Sequence, residues 1–191
     1  MDDLRRLADL LGVMNAVAGD IAALIGRPTQ IGHVGEYIAS RVFDIQLAES
    51  ASNKCIDGYF RSGPLAGRSV NIKWTTKNDG LLNLAADSPP HFYLVLAGPK
   101  TAPGSSRGTH RPWVISAAFL FDGAELHSAL LAAQTKIGVA TSVRQRYWQA
   151  AEIYPEARNA RLVLSDEQRA ALTLFGPEGV ASRIVERESS D

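Results

Sequence analysis

Residues 54 to 77, KCIDGYFRSGPLAGRSVNIKWTTK, contain an aspartate, an asparagine and a lysine that can act together only if the chain folds back between them. The stretches 54 to 60 and 68 to 74 are rich in Ile, Val, Tyr, Phe and Trp, and Gly63-Pro64 with Gly67 supplies a turn, so a β-hairpin is predicted. If Phe60 opposes Arg68, the antiparallel register sets Asp57 across from Asn71 and Cys55 across from Lys73. Side chains alternate by two, so Asp57, Asn71 and Lys73 share one face, while Ile56, Val70, Ile72 and Trp74 take the other, packed face. A slip of one residue would undo the arrangement. Metal-assisted phosphodiester hydrolysis needs carboxylates to hold a hard divalent cation and a lysine to activate water or neutralise charge on the pentacovalent phosphate. Asp57 and Lys73 supply part of that set, and Glu36 is the candidate for the second carboxylate.

Glu36 lies in HVGEYIASRVFDIQLAES, residues 33 to 50, which is predicted to form a helix. At about 100° per residue, Tyr37, Ser40, Arg41 and Asp44 gather in one polar wedge. Val34, Ile38, Val42 and Ile45 form one apolar stripe, and Ala39, Phe43 and Leu47 form a second. Glu36 is in line with Phe43, on a face that should be dry. An unpaired carboxylate buried there would cost several kcal/mol, so it needs a cation, a metal or strong donors. The plainer alternative is that Glu36 sits in the first turn, favoured by the helix dipole.

An acid on a helix, a second acid on the next strand and x-x-Lys on the strand after it resembles the layout of the PD-(D/E)xK nucleases, the restriction-endonuclease-like superfamily. The resemblance covers about residues 31 to 97 and is carried by Gly35-Glu36, Ile56-Asp57-Gly58 and Val70-Asn71-Ile72-Lys73. It implies an α/β fold with a mixed central sheet flanked by helices, Mg²⁺ or Mn²⁺ as cofactor and double-stranded DNA as substrate. By the same resemblance Glu36, Asp57 and Asn71 would be metal ligands together with the backbone carbonyl of Ile72, and Lys73 would be the catalytic lysine. Asn71 stands where the family usually has Asp or Glu, and Ile56 where it has proline. An amide oxygen ligates a cation without charge and holds it less tightly. The reading is therefore a divalent-metal-dependent DNA endonuclease of restriction type. The alternatives are a nuclease-like DNA-binding or protein-assembly module without catalysis, and a structural protein in which Glu36 and Lys73 form an internal ion pair.

The rest of the chain must position these groups. Its 191 residues suit one buried core and one domain. No run of about 18 apolar residues is read, and the N-terminus opens on Asp2 and Asp3, from which a cytoplasmic protein without a membrane association is expected. Cys55 is the only cysteine, and His33, His91, His110 and His127 show no metal-ligand spacing, so a metal would need mainly oxygen ligands. The net charge is zero, yet residues 51 to 150 carry 11 basic against 5 acidic residues. Within that surplus, Lys77, Lys100, Arg107, Arg111, Arg144 and Arg146 are candidate nucleic-acid contacts. Lys100, Arg107 and Arg111 belong to GPKTAPGSSRGTHRP, residues 98 to 112, read either as a basic phosphate-binding loop or as plain disorder.

Residues 3 to 25 place Leu4, Leu7, Leu11, Met14, Val17, Ile21 and Leu24 at steps of three and four, a core helix or one half of a homodimer interface, ended by Gly26 and Pro28. Residues 91 to 97 and 113 to 116 are predicted strands, followed by a helix after Asp122 with Leu126 and Leu130 on its inner side. Residues 137 to 143 are a short strand, 144 to 154 a helix in which Trp148 packs, and 161 to 164 an edge strand. Ser165 with Gln168 forms a capping-box start for a last helix reaching about Phe175. The tail from Arg183 is expected to fray.

Overall fold

The computed structural model describes residues 2–49, 55–100 and 111–180. Two helices come first, α1 (Asp2–Ile25) and α2 (Ile31–Val42), followed by strands β1 (Ile45–Leu47), β2 (Gly58–Phe60) and β3 (Ser69–Thr75). Then come β4 (Leu81–Leu82), β5 (Phe92–Ala97), β6 (Ala117–Asp122), α3 (Gly123–Ala132), β7 (Thr141–Ser142), α4 (Gln145–Ala151), β8 (Glu152–Tyr154) and α5 (Asp166–Thr173). The main sheet has six strands in the order β1-β2-β3-β5-β6-β8, and β4 pairs with β7 in a separate ribbon. Only β3 and β5 run parallel; every other pair in the main sheet is antiparallel. The chain is thus a mixed α/β protein with a mostly antiparallel sheet flanked by helices.

The hairpin forms in the register derived from the sequence. Gly58 pairs with Val70 and Tyr59 with Ser69, but the ladder stops there: Asp57 precedes the strand and donates its N–H to the Val70 carbonyl, Cys55 takes a positive φ of 78°, and the expected pairings of Asp57 with Asn71 and Cys55 with Lys73 do not form. The turn is a short 3-10 segment, Gly63–Leu65, whose Gly63 takes a positive φ of 72° that a side chain would resist. Both faces of the sheet are covered. Val70, Ile72, Leu94 and Leu96 pack with Ile38 and Ala39 of α2 in one cluster. On the other face Tyr93, Val95, Phe119 and Phe121 pack with Leu126 and Leu130 of α3 and with Trp148 of α4. The greasy and chemical faces expected of the hairpin are therefore not separate. Asn71 and Lys73, in register with Tyr93 and Val95, lie on a side that is itself largely apolar core.

Trp148 fulfils its packing role, with edge-on contacts to Phe119 and Phe121 at 4.8 and 5.1 Å. The last helix starts at the expected capping box: Ser165 Oγ accepts from Gln168 N–H and Gln168 Oε1 accepts from Ser165 N–H.

Several expectations fail for identifiable reasons. The second helix stops at Val42, because Asp44 adopts a positive φ of 51° and Ile45–Leu47 pair with β2. Apolar periodicity over so few residues fits either a helix turn or a strand, and the sheet partner decides. Residues 113 to 116 are not a strand; the strand is the next segment, Ala117–Asp122, whose continuous apolar run is buried on both faces. Residues 152 to 154, read as the end of a helix, form β8 against β6. Residues 161 to 164 form no strand among the described residues; Arg161 is instead ion-paired with Asp122 and Glu125. Helix α1 has no buried residue, so it is not a core helix. Its composition and length would also suffice to cross a membrane, with a mean hydropathy of 1.6 over 18 residues, contrary to the absence of such a stretch read from the sequence. The tail beyond residue 180 lies outside the described residues.

Candidate functional site

The site is built where β2 ends against β3. Three hydrogen bonds fix Asp57: its N–H donates to the Val70 carbonyl at 2.9 Å, its carbonyl accepts from Ala48 N–H at 2.9 Å, and its Oδ2 accepts from Ile72 N–H at 2.6 Å. The last contact puts a carboxylate oxygen where a peptide carbonyl would continue the ladder, which carries the acid into the plane of the sheet at the end of the strand. A group in that plane can be approached from both faces. Next to it, Gly58 has no room for a side chain, because a Cβ would lie 2.4 Å from the Gln46 carbonyl oxygen and 2.8 Å from Ile45 Cγ2.

Helix α2 reaches this place through another close approach. A Cβ on Gly35 would lie 2.9 Å from Trp74 Cβ, so the bare glycine seats the helix on β3 and presents the following residue, Glu36, near the end of β2. Glu36 is partly buried and ion-paired with Arg27 from the segment joining the two helices. Lys73 projects from β3, half-buried, in line with Val95. The charges converge. Burial raises the Asp57 carboxyl above its ordinary value of 3.8 against the pull of the Ile72 hydrogen bond; Glu36 adds to the rise, and Lys73 and Arg27 oppose it. Burial lowers the Lys73 ammonium from its ordinary 10.5, partly offset by Asp57, Cys55 and Glu36. Asp57 and Lys73 are both desolvated, and each feels the other and Glu36, a condition under which proton affinities shift at functional sites.

Asn71 is the fourth member. It is 5% exposed, and its Oδ1 is buried without a hydrogen-bond partner. Buried acceptors are normally satisfied, and among the described residues Asn71 Oδ1 shares its unpartnered state with Ser116 Oγ and Trp148 Nε1. The carbonyl of Ile72 leaves β3 on the same edge as its N–H, the edge on which Asp57 sits.

Among the described residues, no group of three or more His, Cys, Asp and Glu side chains is placed to hold a metal. The candidate donors are the Glu36 and Asp57 carboxylates, the Asn71 amide oxygen and the Ile72 carbonyl, with Glu36 on the helix that covers the Val70 and Ile72 face of the sheet and Asn71 on the opposite face. This all-oxygen set fits a hard ion such as Mg²⁺ or Mn²⁺, which keeps several waters and uses one or two carboxylates, and does not fit a nitrogen- and sulfur-seeking ion.

The expected nucleic-acid contacts fare less uniformly. Lys77 is ion-paired with Asp79. Arg146 donates to Tyr147 Oη at 2.7 Å and stacks over the same ring at 4.7 Å, a local use of its charge. Arg144 precedes α4 and is exposed, as are Lys100 and Arg111. Helix α4 packs on the face of the sheet that bears Lys73. Arg107 and most of the basic segment, residues 101 to 110, lie outside the described residues. The internal ion pair between Glu36 and Lys73 is not formed; Arg27 takes Glu36 instead.

Sequence reasoning missed Arg27 and Tyr93. Arg27 lies nine positions before Glu36 across a helix break, a separation with no local signal. Tyr93 stands beside Asn71 in the parallel ladder, and its Oη accepts from Ala85 N–H at 3.1 Å. A cavity of about 800 Å³ lies elsewhere, around Leu65, Arg68, His91 and Phe92. No protein-family model matches this chain, and no curated protein is similar to it.

Proposed function

We propose that the protein is a divalent-metal-dependent nuclease of the restriction-endonuclease-like type, hydrolysing phosphodiester bonds in double-stranded DNA at the end of the β2–β3 hairpin. The observation that carries the reading is the mutual placement of Asp57, Glu36 and Lys73, two acids and a lysine drawn from three elements and partly desolvated together. Structural ion pairs normally neutralise each other at close range, whereas this lysine has no ion-pair partner within 4 Å among the described residues. Glu36, Asp57, Asn71 Oδ1 and the Ile72 carbonyl would hold Mg²⁺ or Mn²⁺, whose charge, when bound, favours attack on phosphorus and ionisation of water. Lys73, with its proton affinity lowered by burial, is suited to orient the attacking water and to offset charge gathering on the phosphate oxygens. Asp57 is held by Ile72 N–H through Oδ2, which limits its rotameric search.

Supercoiled plasmid incubated with Mg²⁺ or Mn²⁺ tests the proposal. Nicking or linearisation that disappears in Lys73→Ala is the expected result, and a wild-type protein inert with every divalent ion sinks it. The second reading, a nuclease-like module that binds DNA without cutting it, is favoured by Asn71 in place of an acid and by Arg27 occupying Glu36. In that case the inert wild type still binds duplex DNA at low salt. Replacing Lys100, Arg107 and Arg111 with Ala then lowers the salt slope by about 0.9 per lost phosphate contact.

A further inference from the structure

Helix α1 carries an apolar stripe whose N-terminal half no other described residue buries. Eight of the fifteen exposed large apolar side chains among the described residues belong to this one helix. Their order is regular. Leu4, Leu7, Leu11 and Met14 are spaced by alternating steps of three and four, and the series continues without a break through Ala18, Ile21 and Ile25. That is a heptad repeat with apolar residues at both seam positions over the whole helix, the pattern that supercoils helices around one another. Of the seven flanking positions nearest the seam, five are apolar, Ala8, Leu10, Val17, Ala22 and Leu24, and two are polar, Asp3 and Asn15, while Arg5, Arg6, Asp9 and Asp20 all fall on the far side.

The two ends of the stripe differ. At the C-terminal end Ala18, Ile21, Ala22 and Ile25 are half-buried where the helix meets α2, and Thr29 Oγ1 donates to the Ala18 carbonyl at 2.5 Å. The N-terminal end carries the same seam into solvent, with Leu4 66% and Met14 57% exposed. A lipid surface suits this helix poorly. It carries four aspartates against two arginines, so an anionic headgroup layer repels it, and it has no aromatic residue to anchor at an interface. A bilayer-spanning pose would place Asp9 and Asp20 toward hydrocarbon without a partner.

We infer that α1 is a self-association element, and that the free seam at Leu4, Leu7, Leu11 and Met14 is covered by the α1 of a second copy of this chain. The seam is complementary to itself, as an interface about a two-fold axis requires, and burying it removes from water the contiguous apolar strip that a lone chain would expose. This inference does not depend on the nuclease reading.

Sedimentation analysis of the full chain over a wide concentration range tests it, with a dimer or larger species expected in place of the 20.6 kDa monomer. The double substitution Leu7→Glu, Leu11→Glu is expected to give monomer, and Asp9→Asn, on the far side, to leave association unchanged. The milder pair Leu7→Ala, Leu11→Ala is expected to keep the helix, seen by circular dichroism, and to weaken association by about tenfold or more. That second pair keeps the test decisive if the charged variant loses its fold. A monomeric wild type at every concentration overturns the inference. So does unaltered association in the Leu7→Ala, Leu11→Ala pair, and so does flotation of the wild type with vesicles of anionic or zwitterionic lipid.

Discussion

Two aspartates attached to the same hairpin meet opposite fates. Asp44 lies beside the turn, exposed, with both oxygens occupied: Arg61 Nε donates to Oδ1 at 2.7 Å and Ser62 Oγ donates to Oδ2 at 2.5 Å. These donors, Ser62 first and Arg61 next, hold its carboxyl below the ordinary 3.8. Asp57, at the other end, is withdrawn from water and given one backbone N–H, and burial holds its carboxyl above the same value. Asp44 is a solved structural problem, in which every lone pair that matters has a donor. Among the described residues Asp57 accepts from one donor, the Ile72 N–H, in a place where the strand ladder would have been satisfied by an ordinary carbonyl. A fold selected only for stability would hold acids in the first way, since a partly buried carboxylate lacking donors is a net cost.

The largest test of that contrast is catalytic. Asp57→Ala and Lys73→Ala are each expected to lower plasmid cleavage by about 10²- to 10⁴-fold with the thermal midpoint nearly unchanged, whereas Asp44→Ala leaves cleavage as it was. Equal loss of cleavage in the Asp44 variant would erase the distinction. The backbone that delivers Asp57 comes next. Gly58→Ala forces a Cβ to 2.4 Å from the Gln46 carbonyl and is expected to cost about 1 to 3 kcal/mol of stability by overpacking, measurable by urea unfolding. A neutral outcome there would mean that β1 yields easily.

Asn71→Asp sharpens the comparison by adding charge where an orphan oxygen already lies. It is expected to tighten Mn²⁺ binding, read by calorimetry, and to reduce stability in the absence of metal, because a second carboxylate then faces Asp57. Unchanged metal affinity would remove Asn71 from the ligand set.

The smallest effects are in the pH dependence of stability, and their signs differ. The raised carboxyl of Asp57 binds its proton more tightly folded than unfolded, so its contribution falls as pH rises from about the ordinary 3.8 through the raised value. Asp44 is lowered, so its contribution is present above 3.8 and lost as pH falls through the folded value. Lys73 is lowered, so its contribution rises as pH climbs from the folded value toward 10.5. Denaturant unfolding across pH should show the Asp57 slope vanish in Asp57→Asn, which keeps an acceptor for Ile72 N–H, and the alkaline rise vanish in Lys73→Met. Persistence of either slope would assign it to another group.

Much of the hairpin was legible because its signals are local. Alternation of β-formers, a glycine-proline turn and a two-residue period fix which residues oppose one another, so the pairing of Gly58 with Val70 follows from composition and counting. The capping box at Ser165 and the stop at Gly26 are equally local. What failed involved competition between partners. Ile45–Leu47 and Glu152–Tyr154 were assigned to helices because only a neighbouring strand distant in sequence makes them strands. Ala117–Asp122 took the place in the sheet expected for residues 113 to 116, since two adjacent apolar runs look alike until a face must be filled.

The amino-acid sequence by itself determined the chemistry available: which acids, amide and lysine exist, their spacing along the hairpin, and the heptad order of α1. Those are properties of neighbours in the chain, written in periods of two and three and a half. Only the tertiary structure decided that Asp57 turns into the sheet plane onto Ile72 N–H, that Glu36 is taken by Arg27, that Asn71 Oδ1 is buried with no donor, and that α1 covers none of the core. Each of these depends on which distant element removes water from a group and which donor then remains within reach. No periodicity within a segment encodes that.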